Sequence, residues 1–530
     1  MIRWNGWGEE SIDFPLPASA KAYLASVLGM PAAPSDISVH EMEKLVPESR
    51  LPDHSLIKKD KFERITHSVG QSMPDWIAIR GGRVTAFPDG VAYPETEDEV
   101  HEILRFARQS GAIVIPYGGG TSVVGHLTVP KGERPVISVD MGRMNKLLTL
   151  DRESGIAIFQ AGIKGPDLEA ALRAQGYTLG HFPQSFEYST LGGWVVTRSA
   201  GQFSLEYGRI ERLFVGGTIM TPQGKMTIPL HPASAGGPDI REMILGSEGR
   251  MGIVTESAVK VTPLPESESF YGAFFPDQEQ AIKAVRMISQ AKIPLTMMRL
   301  SLPTETATML MLNGKSTAME WLQRYLSFRG IGEKKCMLLF GASGSKQKTS
   351  FAIQQSIAII KAHKGVSVGQ KPGKQWYKNR FRMPYLRNTL WEAGLAVDTL
   401  ETATTWQNVP ATVKAIEQAL QMALDEFGEK VHAFTHLSHV YPHGSSIYTT
   451  FLFRVAATPE ETLRRWQKLK SSASQAIVER GATISHQHGV GEDHLPYLPK
   501  EKGELGMRMM HSLCQTLDPE QIMNPGKLFQ

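Results

Sequence analysis

Apolar and polar positions change period sharply between residues 94 and 120. In "PETEDEVHEILRFARQSGAIVIPYGGG", Val100, Ile103, Leu104 and Ala107 recur at helical spacing. Thr96 followed by Glu99 forms a capping box that opens the helix, and Gly111 closes it. The unbroken apolar run Ala112 to Pro116 then predicts a buried strand, followed by the triplet Gly118, Gly119 and Gly120. Helix, strand and glycine loop make an α/β unit with its ligand loop after the strand. Between about Val136 and Val261, β-rich runs such as "PVISVD" and "GIAIFQAGI" alternate with the helix "GPDLEAALRAQG", predicting a second α+β lobe around the same ligand. After Pro265 a strand, helix, strand series runs to about Phe453, and helices such as "PEETLRRWQKLKSSASQAIVERG" complete the chain.

Composition narrows this picture. With 530 residues, 41% of them hydrophobic, the chain can bury cores for two or three domains. A net charge of +4 with scattered Lys and Arg gives no nucleic-acid stripe. Two cysteines, Cys336 and Cys514, exclude a disulfide framework and a cysteine-rich metal site. No apolar window reaches the length of a membrane span and "MIRWNGWGEESIDF" lacks a signal layout, so a cytoplasmic location is expected.

The glycine triplet admits two readings: a tight turn, or a phosphate seat whose successive N–H groups converge on an anion, with Thr121 and Ser122 adding hydroxyls. Two further small-residue stretches, "PQSFEYSTLGGWVVTRSAGQFSLEYGRI" and "GSEGRMGIVTE", favour an extended dinucleotide that needs several backbone approaches. Neither GxGxxG nor GxxxxGK[ST] is present, which argues against a plain Rossmann dehydrogenase or an NTPase.

"PYGGGTSVVGHL", "STLGGWVVTRSAG", "GSEGRMGIVTE" and "LDPEQIMNPGKLF" resemble the FAD-binding domain of the vanillyl-alcohol-oxidase-type (VAO/PCMH) flavoproteins. Within them, "RWNGWG", "GHFPQSFEYSTLGGW", "GPDIREMILGSEG", "YLRNTL", "LETATTW" and "SHQHGVG" resemble the alkyldihydroxyacetonephosphate synthases from end to end. The resemblance implies an α+β fold: an N-terminal helical extension over residues 1–85, a two-lobed FAD-binding domain over 86–265, a separate α+β substrate (cap) domain over 266–455, and a C-terminal helical region over 456–530 returning to the FAD domain. FAD would be non-covalent, as no His or Cys stands in the triplet loop. It would lie along Pro116, Tyr117, Gly118, Gly119, Gly120, Thr121 and Ser122, then Gln184, Ser185, Ser189 and Thr190. It would continue along Thr197, Arg198, Ser199 and Ala200, then Glu248, Gly249, Gly252, Ile253 and Val254.

The family reaction exchanges the acyl chain of acyl-dihydroxyacetone phosphate for a long-chain alcohol, with the flavin as covalent electron sink and no net oxidation. Arg387 is the expected phosphate anchor, near the start of a helix that Pro384 opens and Gly394 ends. The resemblance assigns the base to Tyr448, which alternation places with Thr450 and Leu452 opposite Ile447, Thr449, Phe451 and Phe453. A tyrosine serves as a base only where positive charge lowers its pKa. His486 and His488, read as sharing one face of a strand, are acid–base candidates, with Gln487 where the family shows a third histidine. His181 and Arg299 are further site-lining candidates. His432, His436, His439 and His443 have helical metal-site spacing but read as strand and loop residues, and no metal is expected. Peripheral membrane contact and a homodimer are compatible with this reading. The alternative is an FAD-linked oxidase or dehydrogenase of a hydroxy acid or alcohol, although the "HxGDGNxH"-like segment of such enzymes reads "HVYPHGSSIY" here.

Overall fold

The computed structural model describes residues 1–34, 36–312 and 317–529. The helix read from the sequence spans Glu97–Ser110, with Val100, Ile103, Leu104 and Ala107 as its buried residues. Thr96 accepts from the Glu99 N–H, but the Glu99 carboxylate turns back to the N–H of Glu95, so the capping box closes one residue early. Gly111 ends the helix with φ +66°, open to glycine at little cost. The strand Ile113–Tyr117 follows and pairs parallel with Val136–Asp140, which pairs parallel with Gly90–Ala92. On its other side Met523 forms a parallel bridge to Val114, so the C-terminal segment extends the sheet that carries the glycine loop.

The second sheet is antiparallel, in the order Leu147–Asp151, Ile156–Gln160, Ile253–Lys260, Phe214–Thr221 and Gly224–Ile228. The third has eight strands. Its central path runs Ser267–Phe275, Cys336–Gly344, Met297–Ser301, His432–Leu437, Gly444–Arg454 and Leu395–Thr405. Alternation gives this sheet two different faces. Leu338, Phe340, Ile447, Phe451 and Phe453 point into a core shared with the helices Val409–Ala423 and Pro459–Glu479. Phe451 and Phe453 are each 0% exposed, and truncating either to Ala costs about 3–5 kcal/mol. Met337, Leu339, Tyr448 and Thr450 point the other way, into a cavity. Among the described residues no helix is long and apolar enough to cross a membrane.

Candidate active site

A cavity of about 1240 Å³ runs between the first two sheets and the polar face of the third. Every expected cofactor residue lines it except Arg198. Arg198 ends the helix Leu191–Thr197 in the left-handed region, and its guanidinium pairs with Glu242 at 3.0 Å near the surface.

The glycine loop is both tightly packed and sharply turned. A Cβ on Gly118 would lie 2.5 Å from Thr190 Oγ1, and one on Gly119 would lie 1.9 Å from the carbonyl oxygen of Tyr188. These two glycines therefore let the stretch 184–190 press onto the loop. Gly120 turns with φ +68°. Among the described residues, the N–H groups of Gly118 through Thr121 donate to no other group of the chain, which leaves a row of amides for an anion. The hydroxyls are mostly engaged already. Ser122 contacts His126 Nδ1 at 2.7 Å, Thr190 caps the Leu191–Thr197 helix, Thr197 donates to Gly193 O, and Ser189 accepts from Trp194 Nε1. Glu248 accepts from the N–H groups of Val490 and Gly491 and lies 3.1 Å from His126. The arrangement fits an extended dinucleotide held chiefly by backbone.

The opposite wall is built from side chains. In the antiparallel register Tyr448 stands between Glu401 on one neighbouring strand and His436 on the other, so the three share a face. The Tyr448 ring stacks on His436 at 4.7 Å and meets the His488 ring edge-on at 5.8 Å. Burial and then the Glu401 carboxylate push the phenol's pKa up, against the expected lowering; a hydrogen bond with Thr399 and, least, Arg299 oppose this. Tyr448 therefore stands as a neutral hydroxyl.

The expected histidine strand is a bent loop with Glu401 wedged between its two rings. His486 Nδ1 is 3.1 Å from Glu401 Oε1, and His488 Nε2 is 3.6 Å from Oε2. His488 lines the cavity; His486 does not, because it is packed behind Glu401 with Nε2 2.6 Å from the Tyr441 hydroxyl. Burial and Arg209 hold His486 neutral. His181 is also off the cavity. It is 1% exposed, 2.9 Å from Ser199 Oγ and against the Trp194 ring, and burial lowers its pKa to about 3. His432 and His436 lie on a strand, as read from the sequence.

Arg299 and Arg387 both line the cavity but differ in pairing. Arg299 donates to Glu305 at 2.6 Å and to Ser301, beside His436. Burial of Glu305 opposes ionisation, yet Arg299 and His436 outweigh it and hold the carboxyl at about 2. Arg387 follows the turn Met383–Tyr385 in the helix Leu386–Glu392, so the expected placement near a helix start holds. Its Nη1 donates to Gln71 O and its guanidinium lies 4.2 Å over the Trp76 ring, but Nε and Nη2 are buried without hydrogen-bond partners among the described residues. Burial lowers its pKa to about 10. Next to it, Asn388 exchanges two hydrogen bonds with the backbone of Trp7, at 3.0 and 2.9 Å. A Cβ on Gly8 would strike the Tyr385 ring at 2.3 Å, so "RWNGWG" is a clasp on the helix that carries Arg387.

Residues 88–228 match the FAD binding domain family, and residues 264–528 match the FAD linked oxidases, C-terminal domain. Alkyldihydroxyacetonephosphate synthase of Dictyostelium discoideum is 32% identical over 100% of this chain and 93% of its own length. The chain belongs to the alkyldihydroxyacetonephosphate synthase family. A solved alkyldihydroxyacetonephosphate synthase superposes with a TM-score of 0.85 at 28% identity, covering 99% of both chains. A p-cresol methylhydroxylase structure, 14% identical with a TM-score of 0.67 and covering 94% of this chain and 98% of its own, shares the fold. As a member of this family the protein is an FAD-dependent enzyme with a VAO/PCMH-type α+β fold. Glu401, Glu305 and Gln71 were not singled out from the sequence. "LETATTW" marked the neighbourhood of Glu401, but only strand register shows what Glu401 faces.

Proposed function

We propose that the protein exchanges the acyl chain of acyl-dihydroxyacetone phosphate for a long-chain alcohol, producing an ether-linked lipid precursor. The observation that carries this reading is Arg387. A guanidinium with two unpartnered nitrogens, buried in a cavity wall, is costly unless a ligand completes it, and a phosphate accepts two parallel hydrogen bonds from that fork. Arg299, already neutralised by Glu305, orients the wall instead. The cavity wall also carries the apolar side chains Phe274, Leu310, Leu312, Leu322, Met337 and Leu339, suited to an alkyl chain. The name of the Dictyostelium discoideum relative supports the same substrate class.

FAD, held non-covalently along the glycine loop, would supply an electron sink in a cycle without net oxidation. The chain's own residues do the rest. Arg387 fixes the phosphate, and the apolar side chains of the wall exclude water from the alkyl chain. Tyr448 faces the reacting carbon, and its proton needs an acceptor because its pKa is raised. His488, 14% exposed and neutral, lies beside it.

Anaerobic incubation with acyl-dihydroxyacetone phosphate and a long-chain alcohol tests this reading. Ether product and free fatty acid, with the flavin oxidised at the end, are expected. Flavin bleached by a hydroxy acid or alcohol, with no ether formed, would replace the transferase reading with an oxidoreductase one.

A further inference from the structure

Building on the transferase reading, we propose that Glu401 is a positioning residue that fixes the tautomer of His486 and orients His488 for a proton relay between Tyr448 and the departing carboxylate. The Glu401 side chain is 0% exposed. Among the described residues no Lys or Arg lies within 4.0 Å of it, and its ion-pair partners are His486 and His488. An ionised carboxylate only accepts hydrogen bonds. His486 must therefore carry its proton on Nδ1, facing Oε1 at 3.1 Å, so that its Nε2 accepts from the Tyr441 hydroxyl at 2.6 Å. His488 Nε2 faces Oε2 at 3.6 Å, beyond hydrogen-bond reach, so there the carboxylate favours a proton on Nε2 through its charge. His488 Nδ1 is left as a lone pair without a partner, on a ring in the cavity wall. The His486 N–H also donates to the Glu401 carbonyl at 3.2 Å, which pins the loop to the strand at the residue that orients its rings.

In the reaction the proton of the Tyr448 O–H passes to His488 Nδ1, on a ring that meets the Tyr448 ring edge-on at 5.8 Å but lies outside direct hydrogen-bond reach in the substrate-free protein, so substrate or a water must bridge the two. The tyrosinate takes the proton from the carbon beside the ketone, and that electron pair passes into the carbonyl. The imidazolium, held against Glu401, then gives its proton to the carboxylate, which departs with the electron pair of the broken C–O bond. Electrons for the vacated carbon would come from FAD until the alcohol oxygen bonds there, and the alcohol's proton returns to that carbon. One proton has moved from carbon to leaving group, and Tyr448 and His488 end as they began. An acceptor histidine oriented by a buried carboxylate follows the logic of a catalytic triad.

The charged and titratable groups facing this relay are Asp398 on the strand of Glu401, Lys470 on the helix behind it, and Tyr448 and His436 on the neighbouring strands. His439, Arg209, Arg299, Tyr441 and His494 complete the set. Burial lowers the His488 pKa most, the Glu401 charge partly offsets this, and Lys470 adds to the lowering.

The experiment is Glu401→Gln in full-length, FAD-loaded enzyme, read by kcat, KM and the pH profile of ether formation, with 15N-histidine NMR on the same samples. A relay predicts kcat lower by about 10²-fold with KM for the phosphate substrate and FAD content little changed. Because the base must be neutral, and loss of the Glu401 charge lowers its pKa, the acid limb of kcat moves to lower pH. Glu401→Asp recovers part of kcat. In wild type, NMR shows Nδ1–H on His486 and Nε2–H on His488, and this pattern is lost in the Gln variant. An unmoved limb, or identical tautomers in both proteins, overturns the relay. So does a stoichiometric divalent metal bound by wild type and lost from the variant, since donor atoms of Glu401, His439 and His486 lie within 4.8 Å of one another. Wild type that makes no ether overturns the transferase reading, while NMR still decides the relay.

Discussion

The two walls of the cavity follow opposite rules. On the cofactor side most side-chain hydroxyls are engaged with other groups of the chain, and among the described residues the main-chain amides of Gly118 through Thr121 are left without acceptors. On the cap side the backbone is locked into an antiparallel sheet, and the groups without hydrogen-bond partners among the described residues are side-chain atoms: Arg387 Nε and Nη2 and His488 Nδ1. A backbone cradle is rigid and indifferent to exact side chains, which suits a resident cofactor. A wall of incompletely paired polar groups costs stability until a ligand completes it, which suits a substrate that comes and goes.

The most disruptive way to break this contrast is Gly119→Ala. Its Cβ, 1.9 Å from a carbonyl oxygen, would push the two cofactor stretches apart, and the purified protein should be colourless, as flavin absorbance would show. Tyr448→Phe should leave the protein yellow and lower ether formation by about 10³-fold, the range expected for an acid–base group. Arg387→Met should raise KM for the phosphate-bearing substrate by about 10²-fold with FAD binding unaffected. In calorimetry the same variant should raise the Tm of substrate-free protein, since it removes a buried, unpaired cation. Equal stability of the two proteins would mean that Arg387 is already compensated.

The smallest effect separates Arg299 from Arg387. Glu305 is held at about 2 when folded, against 4.5 as its ordinary value. A depressed folded pKa contributes stability above the unfolded value and loses it as pH falls from about 4.5 through 2. This loss amounts to about 3 kcal/mol at most. Unfolding of Glu305→Gln, followed by circular dichroism, should depend less on pH in that window.

The parts legible in the sequence were those fixed by local periodicity or by glycine. They include the helix at 97–110 with its four buried residues, the strand after it, and the alternation that turns Tyr448 away from Phe451 and Phe453. The placement of His486 was not legible. A loop has no period, and the ring's position depends on Glu401, a residue 85 positions earlier. Arg198 failed for a related reason: its left-handed cap conformation swings the side chain away from the cavity that Thr197 and Ser199 line. The phenol's raised pKa likewise reflects burial and a carboxylate brought close by sheet register, not by sequence neighbours.

The bridge between Met523 and Val114 also has a kinetic meaning. Asn524 donates to the carbonyls of Glu248 and of His126, the latter 398 residues earlier in the chain. Contacts of such sequence separation close slowly, because loop entropy must be lost before they form. The cofactor cradle cannot be completed until residues 522–524 have left the ribosome, so flavin uptake should come late in folding. In refolding experiments, the return of flavin colour would then time the docking of the C-terminal segment rather than the collapse of the lobes.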